Sequence, residues 1–123
     1  MAKILVAEDE PDIRDLIAII LRIAHHEVDT VSNGAEAVES VAASTPDLIL
    51  LDVRMHRMSG YEACQHLKAN PATASIPVVF LSAKGQETDI HTGLALGALD
   101  YVLKPFTPDE LVAKVNEILS RSE

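Results

Sequence analysis

Residues 47–55 read DLILLDVRM. An unbroken apolar run of this length, ended on both sides by an acid, fits a strand buried on both faces, as parallel sheets bury theirs. Residues 47–51 are therefore read as a strand, with Asp52 at its carboxyl end. Working outward, Lys3–Ala7 (KILVA), residues 76–81 (IPVVFL) and residues 101–103 (YVL) have the same character. Glu27–Val31 (EVDTV) instead alternates polar and apolar, as a half-exposed edge strand does.

Helical spacing fills the gaps between these runs. Ile13, Leu16, Ile17, Ile20, Leu21 and Ala24 recur on one helical face, behind Pro11, whose missing N–H is no loss in a first turn. Ala35, Val38, Val41 and Ala42 mark a second helix, and Tyr61, Cys64 and Leu67 a third. Residues 87–96 form the weakest pattern, with Ile90 and Leu94 to bury. Leu111, Val115, Ile118 and Leu119 mark the last helix, opened by Thr107-Pro108-Asp109-Glu110, a capping box with proline at the first helical position. Strand–helix alternation repeated in this way implies an α/β fold: a parallel sheet between two layers of helices. The expected architecture is a flavodoxin-like three-layer sandwich of five strands in the order 2-1-3-4-5 with five helices, because the second strand alone of the first three has an edge pattern. Residues 1–123 read as one domain, with no linker, repeat or low-complexity segment.

Composition narrows the function classes. The formal charge of −9 argues against direct nucleic-acid binding, which needs a basic patch. It fits equally a surface kept acidic for solubility and a cluster of carboxylates around a cation. No apolar run is long enough to span a membrane, and the start of the chain is too short in apolar residues for a secretory signal. The lone cysteine, Cys64, favours a reducing, cytoplasmic setting and reads as core filler. The five histidines are scattered without metal-ligand spacing.

In parallel sheets of this order, ligands sit at the carboxyl ends of the strands, near the point where strand order reverses. The first strand delivers Glu8-Asp9-Glu10 there, the third Asp52, the fourth Ser82, and the fifth Lys104 followed by Pro105. Strands 1 and 3 are neighbours, so Glu8, Asp9 and Asp52 converge. Two such charges ~4 Å apart repel by several kcal/mol even at an effective dielectric near 20, and Lys104 supplies only one compensating charge. A hard divalent cation with oxygen ligands, Mg²⁺ above all, relieves the repulsion. Asp52 is then placed to attack phosphorus, with Ser82 and Lys104 hydrogen-bonding and neutralising the phosphoryl oxygens.

Glu8-Asp9, Asp52, Ser82 and Lys104-Pro105, in the segments ILVAEDEPDIR, DLILLDVRM, VVFLSA and GALDYVLKPF, resemble the response regulator receiver family over essentially the whole chain. The resemblance implies Mg²⁺ (or Mn²⁺) held by the carboxylates of Asp9 and Asp52, the backbone carbonyl of Arg54 and, through water, Glu8. It implies a phosphoryl group accepted on Asp52 from a histidine kinase or histidine phosphotransfer protein, and a cis peptide between Lys104 and Pro105. It further implies a switch in which the Ser82 hydroxyl moves toward the phosphoryl group and the Tyr101 ring follows. That repacks the face made by the fourth helix, fifth strand and fifth helix for a downstream output protein or domain. Tyr101 as plain packing is the competing reading. Both a monomer and a phosphorylation-dependent dimer fit the resemblance.

The loop after Asp52 departs from the family pattern. Members of that family usually carry proline four residues past the aspartate, where this chain has His56, and often Gly or Asp where it has Arg57 and Ser59; Met55, Met58 and Gly60 match. Arg54 and Lys84, each two residues past a site residue, stand where the family tunes loss of the phosphoryl group, and read equally as solvated loop charges. Two rival functions compete with this reading. A turnover phosphatase needs an acid two residues past the nucleophile, where Arg54 stands, so a self-phosphorylating and self-dephosphorylating domain is expected rather than an enzyme. A flavin-type phosphate binder needs a Ser/Gly-rich first loop, where this chain has Glu8-Asp9-Glu10-Pro11-Asp12. Only Ser120–Glu123 follow the last apolar face, so no output domain is expected within these residues.

Overall fold

The computed structural model describes residues 2–83 and 87–121. Strands and helices alternate as β1 (Lys3–Ala7), α1 (Pro11–Ile23), β2 (Glu27–Val31), α2 (Gly34–Ala43), β3 (Leu48–Asp52), α3 (Gly60–Ala69), β4 (Val78–Ala83), α4 (Glu87–Ala95), β5 (Asp100–Lys104) and α5 (Pro108–Arg121). Every strand pairing is parallel, and the sheet runs β2-β1-β3-β4-β5. This is the flavodoxin-like order expected from the alternation.

The period-two geometry of the central strands divides the core in two. Ile4, Val6, Leu48, Leu50, Val79 and Leu81 pack with Ile17, Ile20 and Leu21 of α1 and Leu111, Val115 and Ile118 of α5. Leu5, Ala7, Ile49, Leu51, Val78 and Phe80 pack on the opposite face with Ala37, Val41, Ala63, Cys64 and Leu67 of α2 and α3. Each fully buried Leu or Ile side chain contributes about 1.5–3 kcal/mol, so β1, β3 and β4, buried on both faces, anchor the sheet.

Helix starts follow local chemistry. Asn33 Oδ1 accepts from the Glu36 N–H at 2.9 Å ahead of α2. Ser59 and Glu62 exchange side-chain bonds to each other's backbone N–H ahead of α3. Thr107 and Glu110 do the same, at 3.1 Å each, ahead of α5.

The structure departs from the sequence reading in detail. β3 begins one residue later, because Asp47 is held at the foot of β1, its N–H donating to the Lys3 carbonyl and its carboxylate accepting from the Lys3 N–H. β4 begins at Val78 rather than Ile76: the Ile76 N–H closes a turn onto the Thr73 carbonyl, and Pro77 has no N–H. Leu16, read as facing the core, is 51% exposed, while Ala18 is buried in its place. The face of α1 that packs is centred on Ile17 and Leu21, which turns Leu16, Ile19 and Ile23 outward. The side chain of Ile90 lies outside the described residues, and Leu94 is half exposed. Among the described residues no helix is long and apolar enough to cross a membrane.

Candidate functional site

The carboxyl ends of β1, β3, β4 and β5 form one rim of the sheet. Asp52 closes β3 and is buried, paired in register with Leu81. Beyond it the chain turns tightly: Val53 N–H donates to the Leu81 carbonyl, and Gly60 N–H returns to the Val53 carbonyl at 3.0 Å. A Cβ on Gly60 would sit 2.2 Å from the Asp52 carbonyl oxygen, so only glycine allows this approach. Gly34, at the start of α2, meets the same loop from the other side, its N–H donating to the Met58 carbonyl at 2.9 Å.

Glu8 follows β1 and is fully buried. Its N–H donates to the Val31 carbonyl, its own carbonyl accepts from the Arg14 guanidinium at 3.1 Å, and its Oε2 accepts from the Glu10 N–H. Lys104, at the end of β5, reaches across the rim. Its Nζ donates to Glu8 Oε1 at 2.7 Å and to Asp52 Oδ2 at 3.0 Å. The Lys104–Pro105 peptide is cis. Asp9 completes the group: Glu8, Asp9 and Asp52 each offer a carboxylate oxygen within 4.8 Å of the others.

The electrostatics reflect this crowding. Burial, reinforced by the hydrogen bond and charge of Asp52, pushes the Glu8 carboxyl up to about 8, against the opposing pull of Lys104. Burial disfavours the Lys104 ammonium, yet Glu8 and Asp52 together more than offset this and hold it above its ordinary value. Lys104 thus pairs with two of the three carboxylates, and burial is the main force that favours the protonated form of Glu8. Glu8, Asp9 and Asp52 form an all-oxygen set with excess negative charge, the donor chemistry that suits a hard divalent cation.

Ser82, one residue before the end of β4, is 2% exposed. Its Oγ is buried with no hydrogen-bond partner among the described residues. The register sets Phe80 opposite Tyr101 and Ser82 opposite Leu103, so Ser82 and Tyr101 lie on one face of adjacent strands. The Tyr101 ring is partly buried against the Phe80 side of the core. Lys84 lies outside the described residues; Arg54 is exposed on the loop after β3.

Sequence reasoning did not find three features. Arg14 holds the Glu8 carbonyl, a contact whose only sequence signal is a basic residue one turn after an acidic run. Gly34 and Gly60 brace the loop by contacts that no residue pattern displays. The His56 imidazole stands at the rim, Nδ1 3.7 Å from Asp9 Oδ2, although histidine spacing gave no hint of it.

Residues 4–116 match the family model described as "Response regulator receiver domain". The chain belongs to the response regulator receiver family. As a receiver it is similar to the probable transcriptional regulator ycf27 of Porphyra purpurea, 42% identical over 98% of this chain and 49% of the relative. It is also similar to the phosphate regulon transcriptional regulatory protein PhoB of Pseudomonas aeruginosa, 41% identical over 97% of this chain and 52% of the relative. The receiver thus spans about half the length of these curated relatives. Among solved structures, a putative response regulator from Chloroflexus aurantiacus superposes with a TM-score of 0.94 at 32% identity, covering 98% of both chains. The family places this receiver in two-component signalling.

Proposed function

We propose that this receiver is a phosphoacceptor switch in which Asp52 takes a phosphoryl group from a histidine kinase or a histidine phosphotransfer protein. The observation that carries the reading is Lys104, whose ammonium bridges Glu8 and Asp52 at 2.7 and 3.0 Å beside Asp9. An Asp52 carboxylate oxygen attacks phosphorus. The phosphorus–nitrogen bond to the donor imidazole breaks, and its electron pair leaves on that ring, which takes up a proton. Mg²⁺ or Mn²⁺, held by Asp9, Asp52, the Arg54 carbonyl and Glu8 through water, would neutralise the carboxylates and the phosphoryl oxygens. Lys104 balances charge on the transferred group, and the Ser82 hydroxyl, without a partner among the described residues, donates to one of its oxygens.

Ser82 moving toward the phosphoryl group frees space on the face it shares with Tyr101, whose ring follows. The face of α4, β5 and α5 thereby repacks for an output protein or domain: a two-state element biased by a new charge. Arg54, two residues past Asp52, and Lys84, two past Ser82 in the sequence, tune loss of the phosphoryl group, in a domain that dephosphorylates itself rather than turning over substrate. The receiver acts in the cytoplasm, as monomer or phosphorylation-dependent dimer, and makes no direct contact with nucleic acid or membrane.

The test is incubation with acetyl phosphate and Mg²⁺ followed by intact mass measurement. A phosphoryl adduct on the wild type, absent without Mg²⁺ and absent in Asp52→Asn, is expected. An adduct that survives in Asp52→Asn overturns the reading.

A further inference from the structure

Glu8-Asp9-Glu10 join β1 to α1 beyond the last sheet pairing, which ends at Ala7 on both sides of β1. The turn is fixed through Glu8. Its N–H donates to the Val31 carbonyl, its Oε2 accepts from the Glu10 N–H at 3.3 Å, and its carbonyl accepts from Arg14 Nη1 at 3.1 Å. That carbonyl belongs to the peptide leading into Asp9. Among the described residues the Asp9 carboxylate accepts no hydrogen bond; the His56 imidazole, 3.7 Å away, is beyond that reach. The direction of Asp9 is therefore set by the backbone that carries it, and Arg14 grips that backbone. Acids stand nearer to hand: Glu10 is four residues ahead, a spacing that favours an ion pair along a helix. Among the described residues the Arg14 guanidinium makes no ion pair, and donates to the Glu8 carbonyl instead.

We propose that Arg14 is a positioning residue for the divalent cation: by holding the Glu8–Asp9 peptide it presents the Asp9 carboxylate to the ion. This rests on the metal reading of the acidic cluster. Charge and position make opposite forecasts for Arg14. A guanidinium near a cation site repels the ion, so a bystander charge would weaken Mg²⁺ binding and its removal would tighten it. Removing a clamp on the ligand loosens that ligand and weakens binding, as loss of an orienting partner does at metal sites generally. The sign of the change decides between them.

The experiment is NMR titration of the full chain with MgCl₂, for wild type, Arg14→Met, Arg14→Lys and Asp9→Asn. Adduct formation from acetyl phosphate is followed over the same Mg²⁺ range. Arg14→Met keeps an unbranched side chain and good helix propensity but has neither donor nor charge; Arg14→Lys keeps both. The expected result is a loss of about tenfold in Mg²⁺ affinity for Arg14→Met, the scale on which supporting groups of a metal site act. The Mg²⁺ concentration giving half the maximal adduct rate should rise in step, with the rate at saturating Mg²⁺ near wild type. Arg14→Lys should recover most of the affinity. Unchanged or tighter Mg²⁺ binding by Arg14→Met overturns the inference and leaves the metal reading standing, as does an Arg14→Lys no better than Arg14→Met. Undiminished Mg²⁺ binding by Asp9→Asn, or none by wild type, overturns the metal reading itself.

Discussion

Gly60 lies so close beneath Asp52 that a Cβ on it would meet the Asp52 carbonyl oxygen at 2.2 Å. The contact is with backbone on both sides, so no side-chain rotation relieves it. Gly60→Ala should cost about 1–3 kcal/mol, the usual range for forced overpacking, and should displace the carboxylate from Lys104. Urea unfolding measures the first effect and the rate of adduct formation with acetyl phosphate the second. Wild-type stability and rate in Gly60→Ala would show that the turn is softer than its geometry indicates.

Glu8 makes folding pH-dependent. Its carboxyl titrates at about 8 in the folded chain against an ordinary value of 4.5. Between these values the folded state holds a proton that the unfolded state has released, so the stabilising contribution is complete below about 4.5 and is lost as pH rises through about 8. In the absence of divalent cations, wild type should lose stability relative to Glu8→Gln across that window. Parallel denaturation midpoints from pH 5 to 9 would count against the assignment.

Lys104→Met leaves Glu8 and Asp52 facing each other without a cation. Breaking a buried pair by removing one partner costs about 3–5 kcal/mol, and the loss should be larger at pH 9 than at pH 6, where Glu8 keeps its proton. Thermal or urea denaturation at the two pH values measures both the size and the sign. A pH-independent loss would locate the effect in the packing of the lysine stem.

Ser82→Ala separates folding from function. The Ser82 hydroxyl is buried without a partner among the described residues, and replacing an unsatisfied buried polar group by an apolar one is neutral or stabilising. The unmodified variant should therefore unfold at the same or a higher urea concentration than wild type, yet give slower adduct formation. A clear loss of stability would reveal a hydrogen bond to the hydroxyl.

Much of this fold was legible because β1, β3 and β4 are buried on both faces and their apolar runs are unbroken; the edge strand β2 betrayed itself by alternation. Misreadings fell where tertiary contacts outvote pattern. Leu16 fits the apolar stripe of α1, but the helix turns Ala18 inward. Ile76 belongs to an apolar run, but Pro77 and the turn at Thr73 delay β4. The convergence of Glu8, Asp9, Asp52 and Lys104 on one rim followed from strand order alone. The close approaches of Gly34 and Gly60, the reach of Arg14 and the position of His56 did not, because they depend on how a loop folds back, and loops carry no periodicity to read.

Lys104 and Glu8, joined at 2.7 Å, are 96 residues apart in the chain. The site therefore has no local precursor: no fragment lacking β5 contains it, however well its remaining strands pair. If Asp52 is the phosphoacceptor proposed above, competence there is a certificate of completed folding, and a half-made or clipped receiver stays silent instead of sending a false signal.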